Sequence, residues 1–158
     1  MIQIITRSLL IIFLFITSNC GYKILNNSEK NIFNIKEIKT SGNKRINFKI
    51  KNSLIINSSK NRKNSLILEL DTKKIKQVKE KNIKNEVTKY EIFLKSNIKL
   101  SFLDNNKKKE FDIVSIGDYS VADKYSTTLN NEKRIIEDLT NDLTQKIKNK
   151  IKLILNDF

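Results

Sequence analysis

Cys20 is the single thiol in a chain of 158 residues that contains no His and no Trp. One thiol closes no internal disulfide and builds no thiolate metal cage. Without His it lacks the base that Cys-His and Ser-His-Asp catalysis require, and no His-ligated metal is possible. Gly21, Gly42 and Gly117 are too scattered to form a phosphate-cradling loop. Hydrolysis by a carboxylate pair is the one common chemistry left, and it needs two carboxyls about 5–9 Å apart. No spacing in the sequence places such a pair. The expectation is a protein that is not an enzyme, with no catalytic residues, no metal and no cofactor.

The other chemistry the side chains offer is electrostatic. Lys and Arg number 31 against 17 Asp and Glu, a net charge of +14. Part of this follows from composition, because Ile, Lys and Asn make up 74 of the residues and share A/T-rich codons. The distribution is nevertheless uneven. Residues 21–117 hold 23 basic and 10 acidic side chains, whereas residues 118–158 hold seven of each. The densest basic stretches are Lys73, Lys74, Lys76, Lys79, Lys81 and Lys84, and then Lys107, Lys108 and Lys109. They fit either solvated hairpin tips and guarded strand edges or a site for a polyanion. Only four of the basic residues are Arg, which disfavours specific reading of nucleic acid.

Cys20 gains meaning from what precedes it. Arg7 supplies a positive start, Ser8 to Ile16 form an apolar run, and Thr17-Ser18-Asn19 leads to the thiol. The run is too short for a bilayer span, which takes about 20 residues. It has the layout of a secretory signal, and such segments are set apart from fold reasoning. A lone Cys directly after it resembles the bacterial lipobox, although Thr17 and Asn19 are unusual letters there. That pattern implies a signal peptide over 1–19 and one lipid-anchored domain over 20–158. Acyl chains contribute about 0.8 kcal/mol per buried methylene, so two or three of them hold a protein on a membrane. The alternative is an uncleaved anchor helix with an incidental Cys. Gly21, in place of a retaining Asp, resembles an outer-membrane address.

With so little Gly, turns must rest on Asn, Asp and Ser, which hydrogen-bond their own backbone and tolerate left-handed geometry. Such clusters divide the chain. Residues 32–40 and 65–79 read as strands. Residues 44–57 are ambiguous: Ile46, Phe48 and Ile50 alternate like a strand, while Ile46, Ile50 and Leu54 fit a helical face with Asn43 as its cap. Over 87–103, Tyr90, Ile92, Leu94, Ile98, Leu100 and Phe102 share one side. Glu91, Lys95, Asn97, Lys99 and Ser101 share the other, with Phe93 the exception, which predicts a long one-sided antiparallel strand. Phe111, Ile113, Val114 and Ile116 mark a further strand over 110–117. From Ile136 through Leu139, Leu143, Ile147 and Ile151 to Ile154 the period changes, and a long amphipathic helix is predicted over 128–155 to cover the sheet.

Three motifs in this order resemble the LptE family of lipopolysaccharide-assembly lipoproteins. They are Cys20-Gly21-Tyr22-Lys23-Ile24, then Thr88-Lys89-Tyr90-Glu91-Ile92, then Asp118-Tyr119-Ser120-Val121-Ala122 followed by a charged helix through Asn131-Glu132 and Leu139. The resemblance implies an α+β fold, β-α-β-β-β-α, with two helices packed on one face of a four-stranded, mainly antiparallel sheet. It would make 44–57 a helix. It implies an outer-membrane lipoprotein that plugs an LptD-like barrel, on the periplasmic side or within the lumen, and assists lipopolysaccharide transport to the cell surface. The expected partners are that barrel, lipopolysaccharide and the outer membrane, with no nucleic acid. The only attached group would be the lipid on Cys20. Lys79, Lys81 and Lys84 fall where the family's ligand-contacting basic residues lie, and Lys124 is near a second such position without aligning to it. Another outer-membrane lipoprotein, serving as a structural subunit of a barrel or secretion complex, is the alternative.

Overall fold

The long strand with its period-two alternation is the spine of the molecule. The computed structural model describes residues 34–56, 65–104 and 106–156. The elements are β1 (Asn34–Gly42), α1 (Lys44–Ile56), β2 (Ser65–Lys81), β3 (Val87–Phe102), β4 (Lys108–Ser120) and α2 (Tyr125–Asn156). The expected order of elements is the observed one. Cys20, the signal segment and the opening motif lie outside the described residues.

The strands form one sheet in the order β1-β2-β3-β4. β1 runs parallel to β2, and the β2–β3 and β3–β4 pairs are antiparallel. A parallel pair requires a crossover, and α1 supplies it. The sheet is therefore mixed rather than wholly antiparallel.

One face of the sheet is covered by both helices. Leu66, Leu68 and Leu70 of β2 and Ile92, Leu94, Ile98, Leu100 and Phe102 of β3 point into the same core. Ile46, Ile50 and Leu54 of α1 and Leu139, Leu143, Ile147 and Ile151 of α2 close over them. Phe48 resolves the ambiguity of its segment: it is 65% exposed, so the helical face wins over the alternating one. Asn43 is the cap, its Oδ1 accepting from the Ile46 amide at 3.1 Å. The stripe on α2 turns slightly from the predicted one, with Leu155 buried and Ile136 and Ile154 only half-buried. Both α2 and β4 extend a few residues beyond their predicted ends, as boundaries commonly do.

Left-handed backbone falls to Asn at one turn and to Gly at another. At the β2–β3 hairpin, Asn82 Oδ1 accepts from the amides of Lys84 and Glu86 at 2.9 and 3.0 Å. This lets Asn85 adopt a φ of 63°, a conformation Asn tolerates. Where β1 passes into α1, Gly42 takes a φ of +80°, and a Cβ there would overlap the Thr72 carbonyl. Buried polar groups mostly find partners; Asn47 donates through Nδ2 to the Ser41 carbonyl, while its buried Oδ1 accepts no hydrogen bond. The Thr72 and Ser96 hydroxyls pair across β2 and β3, and Ser115 donates to Asp142 at 2.7 Å.

Candidate functional site

The β2–β3 hairpin and the passage from β4 to α2 lie at the same end of the sheet. The antiparallel register sets this, with Lys89 opposite Ser120 and the Val121 amide donating to the Thr88 carbonyl at 2.9 Å. All four lysines singled out from the sequence are at this end, but their surroundings differ.

Lys79 is committed to carboxylates. Its Nζ lies 3.3 Å from Glu91 and 3.3 Å from Asp118 on the open face of the sheet. Hydrogen bonding to Asp118 is the largest influence on it; with Glu91 it outweighs desolvation and holds the ammonium pKa above its usual value. Lys81 meets neutral oxygen instead, its Nζ donating to Asn85 Oδ1 at 2.9 Å across the turn. Lys84 is exposed at the tip, where its amide is held by Asn82. Lys124 is exposed in the turn before α2, and its carbonyl accepts the amides of Thr127 and Thr128. Lys81, Lys84 and Lys124 are thus presented to solvent, whereas Lys79 is largely neutralised.

Sequence patterning did not reveal the apolar side chains exposed among them. Val78, Ile83, Val121, Tyr125 and Leu129 are all open to solvent at this end, and Ile83 on the hairpin tip is fully so. The end is amphiphilic, with ammonium groups set among uncovered apolar surface. A polar solute finds charge here, and an acyl chain or another apolar partner finds contact area.

A cluster at the root of the hairpin fixes this end to α2. Lys76 on β2 faces Tyr90 on β3, with its Nζ 4.2 Å from the ring centre. Tyr90 stacks on Tyr119 of β4 at 5.7 Å between centroids. The Tyr119 hydroxyl donates to Glu132 of α2 at 2.8 Å. The sequence offered Tyr90, Tyr119 and the lysine run separately, and only the strand register joins them.

The open face of the sheet mixes charges of both signs. One register row runs Lys39, Glu69, Lys99, Glu110, alternating in sign across all four strands. The next holds Ser41, Asp71, Asn97 and Asp112. Further along, Ile75, Phe93 and Ile116 form an apolar row. Between these rows Lys73 and Lys95 face each other beside Val114, so carboxylates offset much, though not all, of the basic charge on this face. Among the described residues no cluster of three metal-binding side chains occurs, and no helix is long and apolar enough to cross a membrane.

No family model matches the chain, and no curated protein matches it. Solved structures do. Rare lipoprotein B from Shewanella oneidensis superposes with a TM-score of 0.62 at 12% identity, over 77% of this chain and 97% of that one. The solution structure of an uncharacterized lipoprotein B from Nitrosomonas europaea superposes with a TM-score of 0.52 at 15% identity, over 73% of this chain and 79% of that one. At these identities the likeness is one of fold: a four-stranded sheet under two helices, shared with bacterial lipoproteins.

Proposed function

We propose that this chain is an LptE-type outer-membrane lipoprotein, a non-catalytic plug of an LptD-like barrel that handles lipopolysaccharide during its delivery to the cell surface. The observation that carries the reading is the architecture. The motifs around Cys20, Tyr90 and Tyr119 implied β-α-β-β-β-α with both helices on one face, that is the fold described above, and solved lipoproteins share it. The amphiphilic hairpin end supports the second half of the reading. Lipopolysaccharide carries phosphates and carboxylates above acyl chains, and Lys81, Lys84 and Lys124 beside Ile83 and Val121 offer both kinds of contact.

The experiment is charge reversal at the exposed lysines alone. Lys81→Glu/Lys84→Glu/Lys124→Glu in the full chain should weaken lipopolysaccharide binding, more at low salt than at high, because exposed charges are screened over about 8–10 Å. Folding stability should change by less than about 1 kcal/mol. Lys79 is left out, since a Glu there would face Glu91 and Asp118 and disturb the sheet itself. A folded triple variant that binds lipopolysaccharide like wild type at low salt would remove the hairpin end from the reading.

A further inference from the structure

Positive charge collects on the side of the molecule opposite the open face. α1 carries Lys44, Arg45, Lys49 and Lys51 and no carboxylate. Its first turn, where the helix dipole favours anions, holds Lys44 and Arg45 instead. Beside that turn, between α1, α2 and β2, lies a cleft of about 290 Å³. Arg45 and Lys49 enter its wall from α1, Lys74 from β2 and Lys133 from α2, with Ile46 and Ile136 as apolar lining and Glu137 the one carboxylate. Lys49 pairs with Glu137 at 3.0 Å, and Lys74 lies 3.6 Å from Glu132. Among the described residues no carboxylate lies within ion-pair distance of Arg45 or Lys133, which face the cleft from different helices.

We propose that this cleft binds a phosphate dianion, free or as the monoester of a headgroup. Two uncompensated cations on separate elements, backed by Lys49 and Lys74, suit a compact dianion whose several oxygens can be shared among them. The planar fork of Arg45 can take two of those oxygens at once. The volume lies at the small end of ligand cavities, enough for a phosphorylated headgroup and not for acyl chains. The apolar side chains of Ile46 and Ile136 give the carbon side of such a headgroup a surface to rest on. An anion here would also neutralise the cations massed at the positive end of α1. The site is separate from the lysines of the hairpin end and does not rest on the lipopolysaccharide reading.

The test is calorimetric titration of the full chain in a non-ionic detergent. The probes are inorganic phosphate and dihexanoyl phosphatidic acid, with dihexanoyl phosphatidylcholine as the control lacking a phosphomonoester. Saturable binding of either of the first two probes is expected. Tighter binding of phosphatidic acid than of phosphate assigns the source to a lipid headgroup, and equal binding assigns it to free phosphate. Arg45→Gln/Lys133→Gln should weaken binding about tenfold or more, as expected when charge-assisted contacts are lost. Arg45→Lys, which keeps the charge and removes the fork, should weaken it several-fold. Lys150→Gln/Lys152→Gln removes the same charge at the far end of α2 and should leave it unchanged. Failure of both inorganic phosphate and phosphatidic acid to bind, equal binding of phosphatidylcholine, or equal weakening by the two Gln pairs would overturn the proposal.

Discussion

Lys76 on β2 and Glu132 on α2 meet at 2.7 Å, joining the outer half of the sheet to the second turn of the long helix. Beyond this contact β2 and β3 run on with less cover, so Val78 is exposed although its alternation would place it on the helical side. The pair sets how firmly the hairpin end is held, because the same Glu132 oxygen also receives the Tyr119 hydroxyl. Whatever the hairpin end binds, its lysines are presented from this fixed root.

Glu132 should make stability depend on acid. Burial pushes its carboxyl pKa up, but hydrogen bonds from Lys76 and Tyr119 and the charges of Lys76 and Lys74 outweigh that, holding it below the usual 4.5. A carboxyl with a lowered folded pKa contributes stability that is present above about pH 4.5 and lost as pH falls through the folded value. Asp142 acts in the same direction, through hydrogen bonds from Lys146 and Ser115. Glu132→Gln should cost about 1 kcal/mol at pH 7, Lys76 being partly solvated. It should also flatten, without abolishing, the loss of stability below about pH 4.5. Denaturant melts of both proteins across pH 3–7 check this. Parallel curves would show that Glu132 carries no pH-linked stability.

The two faces of β3 should answer differently to truncation. Ile92 and Leu100 are fully buried, and Lys95 and Lys99 are exposed on the opposite side. Ile92→Ala or Leu100→Ala should destabilise by about 2–5 kcal/mol. Lys95→Ala or Lys99→Ala should change stability by no more than about 0.5 kcal/mol, since the Lys99–Glu110 pair at 3.6 Å is exposed at both ends. Equilibrium unfolding of the four variants separates the classes, and equal losses on both faces would contradict a sheet buried on one side.

Strand alternation was legible because β3 is apolar on one side and wet on the other through nearly its whole length. Phe93 broke the pattern for a reason only register reveals: it lies between Ile75 and Ile116 in an apolar row on the open face. Val114 and Ile116 blurred β4 in the same way, being exposed while Ser115 between them is buried. Residues 44–57 carried two periods at once, and the choice depended on Phe48 facing solvent, a tertiary outcome. The basic run before β3 was visible, but its division into a neutralised Lys79 and solvated Lys81 and Lys84 was not. That division depends on Glu91 and Asp118 arriving from two other strands. The cation cleft joins three elements far apart in the chain, so no linear spacing announces it.

Cys20 is read from the sequence as a lipidated residue. Cys20→Ala should abolish acylation and mislocalise the protein while the residues of the sheet and helices keep their melting behaviour. Intact mass of the wild-type protein from membranes decides the matter. A mass equal to the unmodified full-length chain would contradict the lipid anchor.

A plug has meaning only inside a barrel. The most direct measurement is isolation of the tagged full chain from membranes in mild detergent, with the co-purifying proteins identified by peptide mass spectrometry. A large outer-membrane β-barrel of LptD type should co-purify in fixed ratio with this chain. The barrel should also be retained in Lys81→Glu/Lys84→Glu/Lys124→Glu, because enclosure within a lumen rests on shape and apolar contact more than on exposed charge. Recovery of the wild-type chain without any such barrel, or with the subunits of an unrelated secretion complex, would contradict the plug reading.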